Sequence, residues 1–219
     1  MISSIDCGQC KEMMLYVADK IIESEPYLTE IDSKIGDGDH GTGMKRGFSA
    51  VKKELPAYMP KDPEDVLKET GTILLDSMGG ASGVLFGTVF ISGITKRRSK
   101  GTLNLNDFAE IFRTSLTSLK QRGKASVGDK TMVDAYEPAV IALEKAVQEG
   151  KTLVHGFSEA ANAAQDGVQY TKTVKARFGR AKYFGEKAIG LQDAGATSIW
   201  IIFRSMSEWI SKEKEEAAL

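Results

Sequence analysis

Apolar positions recur at helical spacing along most of this chain. Met14, Val17, Ala18, Ile21 and Ile22 form a first stripe, and Met44, Phe48, Val51 and Leu55 a second that Pro56 brings to an end. Asp62 and Pro63 are an N-cap and first-turn pair for a third helix carrying Val66, Leu67, Thr70 and Leu74. From about Ser82 to Lys96 the residues are apolar nearly all round, the pattern of a deeply buried helix. Asn106 is placed to cap a fifth helix with Phe108, Ile111, Phe112 and Leu119. A sixth runs from about Thr131 to Gln148, where Pro138 predicts a kink. The seventh, about Leu153 to Lys172, is rich in alanine, which favours helix. The last carries Ile199, Ile202, Met206 and Trp209 before the charged tail KEKEEAAL. No convincing strand pair is visible. The pattern predicts an all-α fold of about eight helices, joined by connections short enough for antiparallel neighbours.

Glycine, aspartate and basic residues concentrate in four of those connections, 36–43, 79–83, 123–130 and 179–195. They join helices one to two, three to four, five to six and seven to eight. In an up-and-down array alternate connections fall at one end, so four separated segments are expected on one face. By the same count the basic cluster Lys96, Arg97, Arg98 and Lys100 falls at the other end and reads as solvated.

Composition narrows the classes. A formal net charge of −1 on 219 residues makes no electrostatic case for nucleic acid or for an anionic membrane surface. No apolar run reaches transmembrane length, and the N-terminus lacks the basic and apolar regions of a signal peptide. Cys7 and Cys10 are the only cysteines, which points to reduced thiols and a cytoplasmic location rather than to a zinc or redox centre.

The stretch IDSKIGDGDHGTGMKRG, residues 31–47, carries the chemistry. Asp32, Asp37 and Asp39 crowd together, the last two among Gly36, Gly38 and Gly41. Carboxylates packed this way repel unless something positive holds them. Hard divalent cations do so, and Mg²⁺ commonly shares its shell with phosphate. An EF-hand does not fit: counted from Asp37, the fifth position is Gly41 and the twelfth Phe48, and counted from Asp32, the third is Lys34. The plainer alternative is a solvated turn whose aspartate caps the next helix. His40 opens that helix, either as a capping or core histidine or as a contact to phosphate or ribose.

The other loops are weaker signals. MGGASG, Met78 to Gly83, lets backbone N–H groups approach a ligand, with Ser82 near a helix start; a close helix contact explains it equally well. In RGKASVGDKTM, Lys124 and Lys130 could meet phosphates and Met132 could line a base pocket, against the commoner reading of a solvated charged connection. In GRAKYFGEKAIGLQDAG, Arg180 can bind two phosphate oxygens at once, and the turn Asp193, Ala194, Gly195 offers amides to an anion.

The strings IGDGDHGTGM, GGASG, GDKTMVDAYEPA and GRAKYFGEKAIGLQDAGATS, in this order and spacing, resemble the nucleotide-binding L subunit of bacterial dihydroxyacetone kinases over essentially the whole chain. The resemblance implies an up-and-down antiparallel barrel of eight helices, a single nucleotide-binding domain over residues 1–219. It implies ADP or ATP held with two Mg²⁺, the metal ligands falling on Asp32, Asp37 and Asp39. Nucleotide contacts would fall on His40, Gly41, Thr42, Gly43, Ala81, Ser82, Gly123, Met132, Arg180, Asp193, Ala194 and Gly195. Many members carry Asn where this chain has Gly43. The ketone-binding histidine of such enzymes lies on a separate K-type subunit, and the mid-helix His155 reads as structural.

The function expected is a phosphoryl-transfer half-site. Nucleotide held here would phosphorylate dihydroxyacetone, or a related short ketose, on a K-type partner. Recharging by an M-type phosphocarrier of the sugar phosphotransferase system and exchange of ATP in each cycle are both open. A homodimer is a further assembly to test. Two other readings are a nucleotide-dependent regulator that binds a transcription activator, and the nucleotide domain of a fatty-acid kinase, whose likeness to this chain covers only a first domain.

Overall fold

The computed structural model describes residues 2–94 and 101–216. Helix α1 spans Cys7–Glu23 and starts on a reciprocal cap, Gln9 N donating to Asp6 Oδ1 at 2.9 Å and Asp6 N to Gln9 Oε1 at 3.1 Å. Helix α2, Glu25–Ile35, follows at once, with Pro26 in its first turn. Then come α3 (His40–Glu54), a 3₁₀ turn (Leu55–Ala57), α4 (Pro63–Met78), α5 (Gly80–Ile91) and α6 (Leu105–Gly123). Helices α7 (Val133–Gln148), α8 (Leu153–Thr171) and α9 (Ala194–Glu216) complete the set, with a 3₁₀ stretch, Arg180–Ala188, between the last two.

The expectation of about eight helices becomes nine α-helices among the described residues. The residues before the aspartate loop form two helices because Pro26 lacks an N–H and restricts the residue before it, which breaks the ladder at Ser24. In sequence order α3 to α9 each pack on the next. α1 packs on α3 and α4 on one side and on α9 on the other, closing a ring of eight, with α2 lying against α3 and α9. Pro138 lies inside α7 as expected.

The interior is aromatic. Phe112 meets Phe203 at 5.3 Å between ring centres, and Phe108 meets Phe157 edge-on at 5.2 Å. Phe48, Phe86, Phe90 and Tyr136 are also buried. Burying one such side chain contributes about 1.5–3 kcal/mol. The helical frame is therefore held along its whole length by apolar packing and does not depend on its connections.

Three local details depart from the sequence pattern. A two-stranded antiparallel sheet pairs β1 (Ser4–Asp6) with β2 (Thr102–Asn104), Ile5 opposite Leu103. Three residues per strand are too few to display a period of two. The cap of α6 is Asn104, whose Oδ1 accepts from Asp107 N at 3.0 Å, whereas Asn106 donates to Glu110 at 2.8 Å. His155 sits in the first turn of α8 and pairs with the capping Thr152 at 3.0 Å. The basic cluster 96–100 lies outside the described residues. No helix of the described residues is long and apolar enough to cross a membrane.

Candidate functional site

The aspartate loop is shaped by its glycines. Gly36 is extended at φ −138°, and a Cβ there would stand 2.3 Å from Asp32 Oδ1. Gly38 takes φ +77°, a left-handed value that other residues rarely adopt. The chain thus folds back on the end of α2. One carboxylate oxygen from each of Asp32, Asp37 and Asp39 lies within 4.8 Å of the others, the only such ligand group among the described residues. Asp39 is the N-cap residue of α3, yet its side chain makes no capping bond. The capping alternative therefore does not account for this carboxylate. Asp32 Oδ2 instead accepts from His40 N at 3.3 Å.

The cluster is charged and only partly compensated. Burial, then the Asp37 and Asp32 carboxylates, push the Asp39 carboxyl above its ordinary range, while Arg180 pulls it down. Arg180 Nε stands 2.5 Å from Asp37 Oδ2. Three convergent carboxylates are hard oxygen donors and suit a divalent cation of the Mg²⁺ type.

All four connections meet in one cavity of about 450 Å³. Asp32, Asp37, Asp39 and His40 line it from the first, and Ala81 and Ser82 from the second, at the start of α5. Lys130, Thr131 and Met132 come from the third, and Gly179, Arg180, Asp193, Ala194 and Gly195 from the fourth. The odd-numbered connections do share one end, once α1 and α2 are counted as one bent helix. Ile35, Leu85, Phe86, Met132 and Phe178 make the apolar part of the wall. An adjoining hollow, also about 450 Å³, shares Asp39, His40, Ala81 and Ser82 and adds Thr42, Gly43 and Arg46. A Cβ at Gly43 would meet nothing within 4 Å.

Several expected contacts are placed differently. Gly41 faces α2: a Cβ there would lie 2.3 Å from Thr29 Oγ1 and 2.5 Å from Glu25 O, so glycine permits helix packing. Gly123 is not part of the cavity lining and sits behind Leu85, 3.5 Å from a Cβ built on it. Lys124 is exposed in the left-handed cap of α6 and is likewise absent from the lining. Lys130 turns its ammonium to carbonyl groups of the protein. The residue is 1% exposed, and Nζ donates to Thr171 O at 2.5 Å and to Leu191 O. His40 Nε2 is shared with Ser198 Oγ at 2.8 Å, and burial lowers the ring's pKa, favouring the neutral form.

Asp134, which the sequence did not single out, and Asp193, expected as a nucleotide contact, organise the facing wall. Asp134 is buried and accepts from Gly128 N at 2.6 Å and Thr131 N at 2.7 Å. Asp193 accepts from Ala196 N at 2.7 Å, donates its own N–H to Thr171 Oγ1 at 3.0 Å, and has its carboxyl pushed up to about 7 by burial. The cysteines stay outside this chemistry. Cys10 faces Pro63 O at 3.5 Å, and burial raises both thiols, the opposite of an activated pair.

The family model described as the DAK2 domain matches residues 34–208. The PEP-dependent dihydroxyacetone kinase ADP-binding subunit DhaL of Escherichia coli K12 is 43% identical over 185 residues, 84% of this chain and 88% of that protein. The corresponding subunit of kinase 1 of Listeria innocua is 37% identical over 188 residues, 86% of this chain and 89% of its own. Among solved structures, the dihydroxyacetone kinase of C. freundii in complex with AMP-PNP and Mg²⁺ superposes with a TM-score of 0.70 at 22% identity, over 95% of this chain and 35% of that one. This last likeness concerns the all-helical fold. Through the match over residues 34–208 and the identity shared along nearly the full length of the DhaL subunits, this chain belongs to the DAK2-domain family.

Proposed function

We propose that this chain is the nucleotide-holding subunit of a dihydroxyacetone kinase. It would keep ADP or ATP with two Mg²⁺ in the four-loop cavity and pass a phosphoryl group to dihydroxyacetone, or a related short ketose, on a K-type partner. The observation that carries this reading is the trio Asp32, Asp37 and Asp39, converged within 4.8 Å on a cavity of about 450 Å³. The matched relatives are named as ADP-binding subunits, and the chain spans 88% of the first of them.

Each residue then has a task. Asp32, Asp37 and Asp39 would hold the metal, which would supply positive charge against the phosphates. Arg180, already beside Asp37, is within reach of oxygens on the transferred group. Ala81 and Ser82, at the start of α5, present backbone N–H groups to an anion. The neutral His40 is engaged by Ser198 and serves as wall, not as base. With His40 engaged by Ser198, three aspartates assigned to the metal and Asp193 to the frame, the acceptor hydroxyl would be activated by the partner chain. Recharging by an M-type phosphocarrier keeps ADP bound throughout; exchange of ATP releases it each cycle.

The test is mass spectrometry of nucleotide retained after extensive dialysis, with calorimetric titration of Mg·ADP. Wild-type protein should bind, and Asp37→Ala or Asp39→Ala should weaken binding at least a hundredfold while leaving the helical circular dichroism intact. Wild-type affinity in either variant would sink the metal assignment. Retained ADP supports the phosphocarrier mode and full loss on dialysis the ATP mode.

A further inference from the structure

We infer that Lys130 is a positioning residue whose ammonium ties the connection before α7 to the segment before α9, and so sets where Arg180 and the Asp193–Gly195 turn stand over the cavity. The inference rests on the nucleotide-holding reading for its functional consequence, though not for its structural one.

A lysine is among the least often buried residues unless it is paired, and this one is 1% exposed. Its backbone is held at φ +59°, one of only two non-glycine residues with positive φ among those described. Such a conformation costs on the order of 1–2 kcal/mol. Both costs are accepted at one point, and the reason lies at the tip of the side chain. Nζ donates to Thr171 O, at the end of α8, and to Leu191 O, just before α9. The C-terminal carbonyls of a helix favour a cation. Burial disfavours the charged amine and lowers its pKa, and the Asp193 and Asp134 carboxylates oppose that shift.

The segment that Lys130 anchors is fixed by polar ties rather than by core packing. Within Arg180–Ala188 only Ala188 is buried, and Tyr183 is 80% exposed. Core packing therefore does not decide where Arg180 stands. Its polar ties are Arg177 N on Asp129 O at 3.1 Å, Asp37 at Arg180, an exposed pair of Lys175 with Glu186 at 2.7 Å, and at the far end Lys130 on Leu191 O, Gly190 N on Lys172 O at 2.7 Å, and Asp193 N on the Thr171 hydroxyl. Among these ties Lys130 alone bridges from the third connection to both α8 and the fourth.

The test replaces Lys130 by Met, which keeps the length of the stem and removes the donors, and by Arg, which keeps charge and donors. Hydrogen exchange is followed by segment, and Mg·ADP affinity by calorimetry. Lys130→Met should speed exchange at 179–195 tenfold or more with 31–39 unchanged, and should raise the Kd for Mg·ADP at least tenfold. Lys130→Arg should bring the Kd back to within about threefold of wild type. Should Lys130→Met fail to fold, Lys130→Gln carries the test, since it keeps a polar tip but is too short to reach both carbonyls and should loosen the same segment with 31–39 unchanged. Equal loosening at 31–39, unchanged Mg·ADP affinity, or an Arg variant no better than Met would overturn the inference. If wild-type protein itself binds no Mg·ADP, the proposed function fails, while the exchange pattern still decides whether Lys130 is the tie.

Discussion

Asp32, Asp37 and Asp39 on one wall, and Asp134 and Asp193 on the other, are one residue type within one site, yet their oxygens keep different company. The first three crowd against each other, and Arg180, itself 72% exposed, stands against them as a single ion-pair partner. The second pair is matched to backbone N–H groups at 2.6–2.7 Å, with the Lys130 ammonium nearby. Carboxylates whose hydrogen bonds are already made hold a frame. Carboxylates gathered with a single long backbone bond among them, His40 N to Asp32 at 3.3 Å, invite a ligand that brings its own positive charge. The same contrast separates the lysines, since Lys124 is exposed and Lys130 is fully enclosed.

The sharpest way to break that comparison is to remove a framing carboxylate. Asp134→Ala leaves the Gly128 and Thr131 amides without their acceptor. The loss should be about 3 kcal/mol of unfolding free energy, because buried donors left unpaired cost about 1–3 kcal/mol each. Denaturant titration measures it. Asp37→Ala should instead hold or raise the stability of protein free of nucleotide and metal, because it relieves carboxylate crowding at the expense of one largely exposed ion pair. Comparable losses in the two variants would erase the distinction.

Ligand binding should separate the two walls next. A ligand at a hundred times its Kd stabilises the folded state by about 2.7 kcal/mol. That increment should require Mg²⁺ and nucleotide together, since neither alone neutralises both the aspartates and the phosphates. Melting temperatures with each component and with both provide the check. Stripping with a chelator should speed hydrogen exchange at 36–43, 79–83, 123–130 and 179–195. A full shift produced by nucleotide in the presence of chelator would argue against a shared metal.

A smaller effect distinguishes the members of the framing wall. Burial holds the Asp193 carboxyl at about 7, against 3.8 for the ordinary group. Between those values the folded chain keeps a proton that the unfolded chain releases, so this group makes stability fall as pH rises. Below the window both states are protonated, and above it both are ionised and the loss is complete. Asp193→Asn should therefore flatten the decline in stability between pH 4 and pH 7 measured without ligand. An unchanged slope would show that Asp193 is ionised throughout.

The least effect is expected at Gly43, where a Cβ meets open space inside α3. Gly43→Asn should change stability by no more than about 0.5 kcal/mol, in the stabilising direction that helix propensity gives. Any larger change in Mg·ADP affinity would mark the adjoining hollow as part of the binding surface.

Much of this molecule was legible in its order of residues. Helical spacing located the packed faces because burial selects apolar side chains every three to four positions. Counting connections was enough to bring four loops to one end, since an up-and-down chain has no other way to arrange them. The alternation of Asp with Gly pointed to the convergence of carboxylates in the first loop, because repelling carboxylates on a glycine-shaped turn serve no packing purpose. Other features depended on contacts between segments distant in the chain. The Gly41 hydrogen faces Thr29 across α2, the His40 ring meets Ser198 from α9, and Lys130 reaches carbonyls 41 and 61 residues away. Nothing local to GDKTM distinguishes a lysine that reaches for phosphate from one that fastens two segments. The difference arises only when the ends of α8 and of the last connection close over its side chain and exclude water, so that the ammonium must donate its hydrogen bonds to the carbonyls that tertiary packing supplies.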